Sequence, residues 1–187
     1  MTTTTPSPNA ALAAARRCLL VLLWLPALAL AASEEVRAVQ DLLVRGQAQA
    51  ALQRLESRGA PLAQGALGDE AELRFLRGVA LMDLERNAEA LSWFERMAQD
   101  YPELPDPYNN IALLHVRAGR LELARQALET ALRNDPSYRT ARGNLGLVHL
   151  MLAVHAFEQV AASGPVDPQF TRRLEGARAL LAASSPR

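Results

Sequence analysis

Apolar and small residues fall at helical spacing along most of this chain, and between Ala71 and Tyr138 they do so twice in the same order. Gly78, Leu81, Ala90, Phe94, Met97 and Pro102 are followed, all at one constant offset, by Ala112, His115, Ala124, Leu128, Ala131 and Pro136. Each copy predicts two helices, Glu70 to Leu84 and Asn87 to Tyr101 in the first, Asp106 to Ala118 and Leu121 to Asn134 in the second. Two helix backbones approach closely only where no large side chain separates them. Gly78 with Ala90, and Ala112 with Ala124, supply that notch, and Leu81, Phe94 and Leu128 fill the space around it. Gly119 predicts the end of a helix, since it tolerates the left-handed conformation of a C-terminal cap, and Glu85 stands at the same place in the first copy. Pro102 and Pro136 stop the second helices because they bring no N–H to the ladder. Asp106 and Pro107 read as an N-cap and a first helical residue.

Small, large, small, large, small and proline at these offsets resembles the tetratricopeptide repeat, a 34-residue unit of two antiparallel helices. Tyr108, Ile111, Ala112, Gly119, Ala124, Ala131 and Pro136 all fall on family positions. The resemblance implies an all-α, right-handed solenoid of helical hairpins, with one repeat over 71–104 and the next over 105–138. Upstream, Ser33, Glu34 and Glu35 are a helix start signal. Val36, Val39, Leu42 and Leu43 then share a face up to Arg45, and Gly46 breaks the pattern. A second amphipathic segment, Gln47 to Arg58, carries Ala51, Leu52 and Leu55. Setting Gly46 against Gly119 places Ala51 on Ala124 and Leu55 on Leu128, which reads as a degenerate repeat over 33–65. From Gly59 to Asp69 no helical period survives, and a long connection is expected there.

Downstream, Leu145, Gly146 and His149 follow Ile111, Ala112 and His115 at that same offset, so Gly146 is expected to be the next notch. Aligning Phe157 with Leu128 and Pro165 with Pro136 then requires five residues to be missing, and those five are the turn. A truncated repeat over 139–165 follows. Leu145, Val148, Leu152, Ala156 and Val160 predict one long helix from Thr140 to Ala162, with a kinked pair as the alternative. Asp167 and Pro168 open a final helix over 167–182, with Phe170, Leu174, Ala177 and Leu181 inward, suited to cap an array that would otherwise end in an apolar face. The repeat domain as a whole covers 32–183.

The segment 1–31 is different in kind. A threonine-rich start leads to Arg16 and Arg17, an apolar run from Cys18 to Leu30, and the small residues Ala29, Ala31 and Ala32. That is the three-part layout of a secretory signal with a cleavage site at Ala29-Leu30-Ala31. The alternative is an N-terminal membrane anchor, although the run is short of the roughly 18 to 20 residues that span a bilayer and contains Pro26. Either reading puts the repeats outside the cytoplasm: periplasmic, or inner-membrane anchored with a periplasmic domain. Every basic residue is arginine, the mark of a GC-rich genome, and a Gram-negative bacterium is the expected source. Without the leader, which takes Arg16 and Arg17 from the total of 20, 18 arginines face 20 acids and no cysteine remains. The folded part therefore has no disulfide, and it lacks the positive excess of a nucleic-acid binder.

No phosphate loop, nucleophile elbow or paired-carboxylate motif is present, and no cofactor is implied. His115 and His149 occupy equivalent repeat positions and are expected to pack between helices with a ring nitrogen satisfied locally. The rival reading makes them a metal site or part of an envelope enzyme's accessory, but zinc needs three or four ligands and no spacing assembles them. The resemblance instead implies a concave face lined by the first helix of each repeat. Carried over by alignment, that face comprises Glu72, Phe75, Val79 and Met82, then Asp106, Asn109, Leu113 and Val116, then Leu147 and Leu150. Asn110 and Asn144 recur at one position where family members hydrogen-bond a ligand backbone. The carboxylate-seizing basic clamp of some relatives is missing, with Asn109 standing where its lysine would be. The expected partner is a protein segment, a peptide or a helix, and a second copy of the chain could complete so short an array. Exposed apolar strips of this kind usually bind such partners; the alternative is that the C-terminal helix or the leader-proximal helices fold over the strip as ordinary core.

Overall fold

The computed structural model describes residues 34–57 and 67–184, all of them helix or short turn. The leader and residues 58–66 of the connection lie outside the described residues. The helices are α1 (residues 34–44), α2 (Ala48–Ser57), α3 (Leu67–Asp83), α4 (Asn87–Asp100), α5 (Pro105–Arg117), α6 (Leu121–Asn134), α7 (Arg139–Ala162) and α8 (Pro168–Ser184). They divide into two compact units that meet in sequence at Leu84 and Glu85.

In the first unit Val36, Val39, Ala51, Leu73 and Leu76 form one buried cluster, with Leu42, Leu43 and Leu55 packed against it. Gly46 ends α1 at φ +70°. Its N–H donates to the Leu43 carbonyl at 2.9 Å, and the Gln47 N–H donates to the Leu42 carbonyl at 2.8 Å. Those two bonds are the Schellman cap, in which an αL residue closes the last turn. Arg54 clasps Glu35 with bonds of 2.8 and 2.7 Å, tying α2 to α1. Helix α3 starts at Leu67, so residues 67–69, read as connection, are helical; Asp69 and Glu70 sit in its first turn, where the helix dipole favours acids.

The second unit is a run of helices each packed on the one before: α4 on α5, α5 on α6, α6 on α7 and α7 on α8. Ala112, Ala124, Leu128, Ala131, Ala141 and Val148 make its central cluster, with Tyr108, Val116, Leu145 and Leu152 against it. Gly119 repeats the cap of Gly46: φ is +72°, the Gly119 N–H donates to the Val116 carbonyl, and the Arg120 N–H donates to the His115 carbonyl, both at 2.9 Å. The start of α5 differs from the expectation. Pro105 is its first residue and Leu104 its N-cap, so the Asp106 carboxylate is inside the helix. Pro105 needs no N–H there and its fixed φ suits the first turn. At α8 the expected cap is present, the Phe170 N–H donating to Asp167 Oδ1 at 2.8 Å.

Residues 139–162 form one helix, because without the turn nothing interrupts the ladder. Its first half packs on α6 through Ala141 and Val148, its second half against α8 through Phe157, whose ring meets Phe170 edge-on at 5.4 Å, and through Glu158, which accepts a hydrogen bond from Arg178 at 3.1 Å. Gly146 corrects the sequence reading. It is exposed, and a Cβ built on it meets nothing within 4 Å, whereas Gly78 and Ala112 are buried. The missing turn leaves no second helix to close over it.

Glu85 is the one described non-glycine residue with positive φ, at +57°. An L-residue held there costs about 1–2 kcal/mol relative to its usual basin. Glu85→Gly is therefore expected to raise the unfolding free energy by about 1 kcal/mol, measured by urea unfolding. A loss of stability would mean that its side chain does more than occupy a turn.

Candidate protein-docking surface

The residues expected to line a docking face fall in both units. In the first, α3 carries Glu72, Phe75 and Val79, all half-buried, and Met82, which is buried. Glu72 accepts a hydrogen bond from Gln40 at 3.2 Å. In the second, α5 carries Asp106, Leu113 and Val116, half-buried, with Val116 packed on the core cluster. Asn109 and Asn110 are buried. On α7, Asn144 and Leu150 are half-buried and Leu147 is exposed at 36%.

The two asparagine positions separate in role. Asn110 donates to the Asp106 carbonyl one turn back at 2.9 Å, so its amide is used within its own helix. Asn144 donates instead to Asn109 Oδ1 at 2.8 Å, joining α7 to α5 side chain to side chain. Asn109 stands where relatives with a carboxylate clamp have lysine, and an amide accepts this bond where an ammonium could not. Beside this pair, the Tyr138 hydroxyl donates to Asp106 Oδ1 at 2.8 Å. Burial, then the neighbouring Asp106 carboxylate, pushes the Tyr138 phenol well above its ordinary value, so it stays a donor. Sequence reading missed Tyr138, because Leu104 stands at its repeat position and nothing in the spacing marks it.

The histidines do not behave as a pair. His115 is buried and its Nδ1 has no hydrogen-bond partner, which overturns the expectation of a locally satisfied ring. Burial, then Arg120, holds its pKa below the ordinary value against the pull of Glu95. His149 is exposed instead of packed, for the same reason as Gly146. His155 lies within hydrogen-bond distance of Gln159, 3.1 Å. Among the described residues no group of three His, Cys, Asp or Glu is placed to share a metal ion.

The sequence profile of the tetratricopeptide repeat family matches residues 36–105 and 109–184, well over half of the chain. The chain belongs to the tetratricopeptide repeat family. Among solved structures, the first tetratricopeptide repeat domain of the human RPAP3 protein is similar with a TM-score of 0.54 and 17% identity, over 65% of this chain and 92% of that one. At that identity the likeness concerns the fold alone. Tetratricopeptide repeats are protein-interaction scaffolds and not catalysts, and in this member Asn109 and Leu113 lie on α5, the first helix of a hairpin, with Asn144 and Leu147 on the first half of the single helix α7.

Proposed function

We propose that this tetratricopeptide repeat protein is a non-enzymatic scaffold of the bacterial cell envelope, exported by its leader, which holds a partner peptide or helix on the first-helix face. The Asn144–Asn109 bond carries the reading. The side-chain oxygen of buried Asn109 fixes the half-buried Asn144 amide between α5 and α7, the helices that carry Leu113 and Leu147, so a partner's backbone would meet an oriented amide while its apolar side chains meet the leucines. Affinity comes from the apolar surface and register from the amide. In the first unit, Phe75 and Val79 on α3 are half-buried apolar residues of the same kind, and Met82, further along the helix, is buried. The layout of residues 1–31 supports export, and cleavage after Ala31 would release the repeats into the periplasm; an anchor would hold them at the inner membrane.

The test is in-host crosslinking of the full chain beside two variants. Leu113→Glu places a charge on the proposed face; Leu123→Glu places one on α6, where Leu123 is already 44% exposed. The partner recovered with the parent chain is expected to be lost with Leu113→Glu and kept with Leu123→Glu, both variants retaining the parent's circular dichroism. Recovery of the same partner with both would contradict the proposed face.

A further inference from the structure

Arg142, Gly146, His149, Ala153, Ala156 and Val160 alternate by four and three positions along α7, which sets them on one side of the helix, as in a coiled-coil seam. Five of them are exposed and Ala153 is half-buried, with Val160 at 48%. This side is neither the one that packs on α6, through Ala141 and Val148, nor the one that meets α8, through Phe157 and Glu158. It is also not the side of Leu147 and Asn144, so the inference stands apart from the docking face above.

The preceding repeat shows what such a side is built to meet. Tyr108 and Ala112 of α5 pack in one core with Ala124, Leu128 and Ala131 of α6. Arg142, Gly146 and His149 follow Tyr108, Ala112 and His115 at the full repeat offset, while Ala153, Phe157 and Val160 follow Ala124, Leu128 and Ala131 at an offset five shorter. Helix α7 thus carries both halves of a hairpin contact on a single rod. A continuous helix does not fold back, so the two halves cannot meet each other; Phe157 is taken by Phe170 of α8, while Arg142, Gly146, His149, Ala156 and Val160 stay exposed among the described residues.

We propose that α7 pairs antiparallel with α7 of a second copy, the first half of each taking the second half of the other. A shortened connection is what turns an internal helix contact into an exchange between identical chains. The spacing is self-complementary: about a two-fold axis level with Met151, position 142 faces 160, 146 faces 156, and 149 faces 153. Gly146 and Ala156 lie opposite each other, where the two backbones come closest, and Ala153 opposes His149. The contact is isologous and closes at two chains, leaving the Leu113 face of each free.

The experiment uses the full chain with Cys18→Ser. Light scattering is expected to give twice the 20.3 kDa chain mass for this parent. Gly146→Arg is expected to give the single mass with the parent's helical circular dichroism, because among the described residues nothing beyond its chain neighbours and the helix's own backbone lies within 4 Å of the added carbon. For direction, chains bearing His149→Cys are mixed with chains bearing Ala153→Cys and oxidised. The mixed disulfide is expected to form at least tenfold faster than either like pair. A parent that stays monomeric, a dimer that survives Gly146→Arg, as association through the leader would, or faster joining of His149→Cys to itself, each overturns the proposal.

Discussion

Leu128→Ala is expected to lower the unfolding free energy by about 2–5 kcal/mol, toward the upper part of that range. Leu128 has no exposure and sits among Ala112, Ala124, Ala131, Ala141 and Val148. Truncation removes apolar area from the core and leaves a hole, and the size of the loss depends on how far neighbours move in. Here four of the five are alanines, with no side-chain torsion to turn into the space, and Val148 is stiff at χ1. Only the partly buried rim, such as Tyr108, Leu145 and Leu152, has torsions that can turn toward the hole, so it closes only in part. Since repeat arrays are held by contacts between neighbours, the loss belongs to the second unit, where Trp93 on α4 is a local reporter, its ring 5.3 Å from the Arg96 guanidinium carbon. Urea unfolding followed by Trp93 fluorescence, with Trp24 replaced, is expected to move to lower denaturant. A loss under about 1 kcal/mol would mean that the cluster repacks.

Ala112→Leu is expected to cost about 1–3 kcal/mol by the opposite route, overfilling the contact. Ala112 has no exposed area and lies in the same cluster on α5, facing α6. A leucine there either takes a strained rotamer or pushes α5 and α6 apart, and both disturb the contact from which α7 continues. Thermal unfolding is expected at a lower temperature than for the parent, and an unchanged midpoint would mean the two helices do not meet at this residue.

Much of this architecture was legible because the family's key positions are steric. Ala112, Ala124, Leu128 and Ala131 could be paired from spacing alone, and all are buried in one cluster. Gly46 and Gly119, matched on the sequence, close their helices with the same pair of hydrogen bonds. The missing five residues after Leu152 predicted a single long helix, and α7 is that helix. The same deletion defeated the reading of Gly146 and His149: repeat positions were carried across without the second helix that gives them a neighbour. Asp106 was misread because Asp106-Pro107 fits a cap and first helical residue two positions after Leu104 and Pro105, which hold those places. The candidate face was a set of repeat positions carried over by alignment. Its polar detail was not legible, since the Asn144–Asn109 and Tyr138–Asp106 bonds join residues far apart in sequence, and nothing local announces either.

The claim beneath all of this is that α5 and α6 close on one another through Ala112 and Leu128, and a double-mutant cycle on those two positions tests it most directly. Side chains sharing a cavity couple by about 0.5–3 kcal/mol. The extra bulk of Ala112→Leu should occupy the space vacated by Leu128→Ala, so the double variant is expected to be more stable than the two single losses added together. Strict additivity of the losses would contradict the account, because it would place the two side chains in separate surroundings.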